Sequence, residues 1–129
     1  MPPILLWLAF AGAPDFRTFV ARVEPIFVKP REGSARCYDC HSRESNKAAF
    51  HLAPLGPDGK WSTAQSRANY ENVLRLITPG EPLKSRLLTH PLAADAGGDE
   101  FHTGGKFWAS QEDPEWKLLS DWVRGRPSK

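Results

Sequence analysis

Twelve prolines and ten glycines, about one residue in six, punctuate this 129-residue chain and confine its regular structure to short helices joined by turns and long connections. A chain divided in this way has less regular structure than usual with which to bury a core. Five tryptophans and seven phenylalanines nevertheless need a large surface to pack against, and a flat body inside the fold would provide one. The length, with 40% hydrophobic and 25% charged residues, is that of one soluble globular domain, which argues against disordered and collagen-like structure. Seventeen basic and fifteen acidic side chains leave a formal charge of only +2, too little for a phosphate-binding surface, so no nucleic-acid partner is expected.

Periodicity and punctuation predict an all-α fold of short helices. Asp15 is placed to cap a first helix, in which Phe16, Phe19, Val20, Val23 and Phe27 recur at three- and four-residue spacing; Pro25 should kink or split it. Residues 29–36 read as a loop with three positive charges, Lys29, Arg31 and Arg36. Residues 42–61 read as a loop with one helical turn, because Pro54, Gly56, Pro57 and Gly59 forbid more. Ser62 caps a second helix predicted to run to about Thr78, with Tyr70, Val73, Leu74 and Ile77 on one face and Pro79-Gly80 as its stop. Pro82 opens a short helix through Leu87 and Leu88 that Pro91 ends, and residues 92–109 are loop-like. Asp113-Pro114-Glu115 starts a last helix with Trp116, Leu119, Trp122 and Val123 on one face and Gly125 as its stop. There is no strand pattern and no internal repeat.

The two cysteines concentrate the chemistry. Cys37 and Cys40 are too close in sequence for a disulfide between them to close a useful loop. With His41 they spell C-x-x-C-H, the attachment signature of c-type haem. On one helical turn two thiols three residues apart can reach adjacent vinyl groups of a porphyrin, and the histidine that follows can aim a ring nitrogen at the iron. Chance would produce the pattern in roughly one sequence of this composition in two thousand. A zinc site would need a second tight ligand pair, whereas His51, His90 and His102 are scattered. A thioredoxin-like dithiol would need a strand before the motif, and none is indicated. The cofactor expected is one covalent haem c on Cys37 and Cys40, with His41 as a metal ligand.

The order of features resembles a class I-type monohaem cytochrome c domain over residues 15–125. It is most similar to the cytochrome-like domains of planctomycete and acidobacterial proteins. The resemblance rests on a first helix ending near Pro25-Ile26-Phe27, then CYDCH, then PGEPLKSRLL (79–88), HTGGKFW (102–108) and DPEWKLLSDWVRG (113–125). It implies a helical fold around the haem with the first and last helices crossing, Phe19 and Val23 against Trp116 and Trp122. It also implies a distal ligand in the loop before the last helix.

Proteins of this topology commonly use a methionine there, and the sole methionine here is Met1. His102, 61 residues after His41 on a glycine-rich loop, is the replacement expected, with His90 and His51 as rivals. Gly104 and Gly105 would let the backbone approach the porphyrin face. Two imidazoles favour ferric iron more than a His/Met pair does, so a low potential is expected. Trp61 and Trp108, on loops beside Lys60 and Lys106, are candidates to donate their indole N–H groups to haem propionates.

The function expected is one-electron transfer with no catalytic residues and no small-molecule substrate. The alternatives are a haem subunit of a larger redox complex, membrane complexes included, and a haem sensor or peroxidase with a weak distal ligand. Lys29, Arg31 and Arg36 could form a docking patch for an acidic redox protein, or simply a solvated loop. Residues 1–13, MPPILLWLAFAGA, form an apolar stretch ending in small residues, like the core and cleavage region of a secretory signal without its basic start; a hydrophobic arm on a partner subunit and a buried element are the other readings. The stretch is shorter than the roughly 20 residues a membrane-spanning helix needs, and no cysteine follows for a lipid anchor. Residues 14–129 are then the cytochrome c domain, and its place is expected to be periplasmic or otherwise extracytoplasmic, with membrane association as an option.

Overall fold

The computed structural model describes residues 12–33, 35–100, 102 and 105–126. The apolar N-terminal stretch lies outside them except for Gly12 and Ala13, which are exposed. The regular structure of the described residues is helical, with an isolated parallel bridge between Leu92 and Trp108 and no strand among them. None of their helices is long and apolar enough to cross a membrane.

The first helix, α1, comprises Phe16–Thr18, a π-helical stretch Phe19–Val23 and then Glu24–Val28. Asp15 caps it as expected, its carboxylate accepting from the Thr18 backbone N–H at 2.7 Å. Pro25 falls in the first turn of the last piece, directly after the π-helical stretch. The wider turn, closed by the Glu24 N–H donating to the Phe19 carbonyl five residues back, lets the proline ring enter without the clash it meets in an α-helix. The extra residue per turn also rotates the buried stripe. Phe19, Val23 and Phe27 are buried as predicted, but Val20 is 40% exposed and Glu24, at 5%, takes a place in the core. Ser66 Oγ and Asn69 Nδ2 donate to the Glu24 carboxylate at 2.8 and 2.9 Å. Burial pushes the Glu24 carboxyl above its ordinary pKa, and those two hydrogen bonds pull against the rise.

The motif forms α2, Cys37–His41. Asp39 caps it from within: its carboxylate accepts from the Arg36 backbone N–H and guanidinium, which holds the Asp39 carboxyl below the usual range. Residues 42–61 make turns without the predicted helical turn. Helix α3, Thr63–Leu74, starts on a capping box between Ser62 and Gln65 and ends before Thr78, leaving Ile77 buried beyond its last turn. The Pro82 segment becomes a 3₁₀ turn, Pro82–Lys84, followed by α4, Arg86–Thr89. The last helix, α5, is Pro114–Val123, capped by Asp113.

Trp116 and Trp122 lie in the core. Their indole N–H groups donate to the Leu88 and Asp15 carbonyls, so both tryptophans tie distant segments together, and Trp122 stacks at a tilt on Phe19 with ring centres 5.5 Å apart. Helices α1 and α5 therefore meet through aromatic bodies.

Candidate functional site

A pocket of about 330 Å³, at the lower end of the range for cofactor sites, opens between α1, α2, the 47–50 loop, α4 and the 102–108 segment. Ile26, Phe27, Phe50, Leu76, Leu87 and Trp108 make its apolar walls, and Cys37, His41, His90 and His102 bring polar chemistry into it.

His41 is positioned by the loop that follows it. Its Nδ1 lies 2.8 Å from the Phe50 carbonyl, which can only accept, so Nδ1 carries the proton and the lone pair sits on Nε2. Asn46 Nδ2 and the Leu52 N–H donate to the Cys40 and His41 carbonyls, closing the end of α2. The same loop is fastened to α3, where Asn69 Oδ1 accepts from the Ala53 N–H and Asn72 Oδ1 from the His51 N–H. His102 shows the same local arrangement, its Nδ1 donating to the Gly105 carbonyl at 2.6 Å, with Gly105 in the left-handed region at φ 91°. Gly104 lies outside the described residues.

The His41 and His102 rings are nearly parallel, 12° apart, with centres separated by 6.4 Å. Two metal–imidazole bonds of about 2.0–2.1 Å, with the half-ring on either side, span a distance of this order. The centre-to-centre separation of the pair matches that span. Burial lowers the pKa of both imidazoles, which keeps them neutral and able to ligate. His90 lines the same pocket but stands edge-on to His102, with ring centres 4.7 Å apart and Nδ1 on the Asp99 carboxylate. His51 is exposed and outside the pocket.

Both cysteines are free. Cys37 is buried against the pocket and burial pushes its thiol up to about 11, the opposite of what an attacking dithiol requires. Cys40 is half-buried and does not line the pocket. Among the described residues no three His, Cys, Asp or Glu side chains gather as a structural zinc would need.

The two tryptophans singled out from the sequence are placed differently. Trp61 lies away from the pocket, its Nε1 donating to the Ala53 carbonyl at 2.6 Å. Trp108 does line the pocket, but its Nε1 donates to Glu115 at 3.0 Å. Neither indole N–H is free for a propionate, because each meets an acceptor of the chain first.

The charges of the basic loop are paired within the chain. Lys29 and Arg31 both pair with Glu115 at 2.9 Å, and Arg36 pairs with Asp39 at 2.8 Å. The Arg31 side chain is only 13% exposed, lies over the Phe107 ring at 4.6 Å, and has a buried Nε with no hydrogen-bond partner. Lys47 and Arg86 are the exposed cations on the pocket's rim. Asn69, Asn72 and Asp99 carry no motif, and the sequence places Glu115 and Lys106 only as a helix-start acid and a neighbour of Trp108; their contacts across the fold reveal what they hold.

Burial by itself would raise the Glu115 pKa, but donors from Trp108, Lys29 and Arg31 hold it below the ordinary value. A depressed carboxylate contributes stability above its unfolded pKa and loses it as pH falls through its folded one. Glu115→Gln should therefore lower stability at neutral pH by about 3 kcal/mol, since it leaves Arg31 without its counter-charge. It should also flatten the acid limb of the stability–pH curve, as measured by denaturant unfolding from pH 3 to 7.

Comparison of the chain with protein-family models, with curated proteins and with solved structures finds no match to any of them.

Proposed function

We propose that this chain carries one haem c, which Cys37 and Cys40 would hold covalently and His41 and His102 through the iron, and passes single electrons. The observation that carries the reading is the His41–His102 pair, parallel at 6.4 Å, in an apolar pocket that also presents Cys37. When bound, such a group supplies reversible ferric–ferrous chemistry.

The chain's own residues do the rest. Carbonyls of Phe50 and Gly105 take the Nδ1 protons of both imidazoles and leave each Nε2 lone pair for ligation, a backbone version of the outer-shell support common to metal-bound histidines. Ile26, Phe27, Leu76 and Leu87 exclude water and lower the local polarity. With His41 and His102 both holding the metal, no position would remain there for substrate, and the reading assigns no residue a role as acid, base or nucleophile. With Lys29, Arg31 and Arg36 paired internally, Lys47 and Arg86 at the rim are the cations placed to meet an acidic redox protein. Covalent attachment, by the cytochrome resemblance, belongs to the outer side of the cytoplasmic membrane.

Low-temperature EPR of the oxidised protein tests the reading. Low-spin bis-imidazole signals are expected; high-spin signals would replace it with a sensor or peroxidase whose distal position is weak or open.

A further inference from the structure

We infer that Asp99 and Lys106 are positioning residues that clamp the loop bearing His102 and thereby set His102, not His90, opposite His41. This rests on the haem reading above.

Both stems of the loop dock on one stretch, residues 89–93. On the incoming side the Gly98 N–H donates to the Ala93 carbonyl and the Asp99 N–H to the Thr89 carbonyl, each at 3.0 Å. A Cβ on Gly98 would fall 1.9 Å from the Leu92 carbonyl oxygen, so this close approach requires glycine. On the outgoing side the Phe107 N–H donates to the Pro91 carbonyl and the Ala93 N–H to the Trp108 carbonyl, each at 2.8 Å.

Lys106 joins the two stems. Its ammonium donates to the His90 carbonyl and the Asp99 carbonyl at 2.7 Å, and to the Asp99 carboxylate at 2.9 Å, which uses all three of its protons. The other carboxylate oxygen of Asp99 accepts from His90 Nδ1 at 2.8 Å. One ion pair therefore closes the base of the loop and also fixes the ring of the rival imidazole. Without it His90 is free to turn, and the two stems are joined to residues 89–93 by their backbone hydrogen bonds alone.

The test uses ferric holoprotein, cyanide as the external ligand, and EPR. Lys106→Met and Asp99→Asn should speed cyanide association about ten- to a hundredfold and add a second low-spin or a high-spin species to the spectrum. Lys106→Arg, which keeps the charge and the donors, should stay near wild type. Asp15→Ala, which removes the cap of α1, should lower the melting temperature without changing the cyanide rate, so a general loss of stability is told apart from a lost clamp. If Lys106→Met does not fold, the near-isosteric Asp99→Asn decides alone. Wild-type rates and spectra in the folded variants would overturn this inference by itself. A wild-type protein without bis-imidazole signals would overturn the ligand assignment and the inference together.

Discussion

Replacing Cys37 and Cys40 together with alanine should abolish covalent retention of the cofactor. Protein made in its own host, unfolded and weighed intact, should carry the mass of the chain plus one haem, and the double variant the mass of the chain alone. The reason is local. Helix α2 sets the two sulfurs three residues apart on one turn, directly before an imidazole whose Nδ1–H is committed to the Phe50 carbonyl. The effect should be all or none in the mass spectrum, because a thioether survives unfolding and an axial bond does not. The variant should still bind haem through His41 and His102 in its folded state, but release it on acid extraction. Wild-type polypeptide found colourless, with two free thiols, would end the cytochrome reading.

The second large effect is on potential. His102→Met should raise the midpoint on the order of 0.1 V or more, since axial ligands move haem potentials over about 0.8 V and a thioether stabilises ferrous iron relative to imidazole. The His102 ring centre lies 6.4 Å from that of His41, so under the proposed ligation a ligand exchanged there would act on the iron directly. The same substitution at His90 should move the midpoint little, because that ring meets the edge of His102 and is held by Asp99. Redox titration of the two variants side by side separates these expectations: an unchanged midpoint in His102→Met, with an unchanged reduced spectrum, would remove His102 from the iron.

Much of the local structure was legible in the chain. Asp15, Ser62 and Asp113 each cap the helix they precede, because a cap needs only a short polar side chain and the next turn's free N–H groups. The last helix follows its apolar spacing from Trp116 to Val123. The first helix does not. Val20 fits the stripe at 3.6 residues per turn but turns outward once the π-helical stretch adds a residue, and Glu24 turns inward to Ser66 and Asn69. No propensity of those residues announces that change of phase; it depends on what Pro25 and the facing helix will accept.

The candidate site divides in the same way. The C-x-x-C-H run could be read from spacing alone, since one helical turn is a property of five adjacent residues, and His102 stood out from His51 by its place on a glycine-rich loop before the last helix. Which donors would be free around the pocket depended on neighbours 7 to 86 positions away. Trp61 and Trp108 gave their N–H groups to Ala53 and Glu115, and the charges of Lys29 and Arg31 were gathered by Glu115. Short-range chemistry is written residue by residue, whereas a hydrogen-bonding group pairs with whatever acceptor the finished packing brings within reach, and that is settled only when the whole chain has closed around its core.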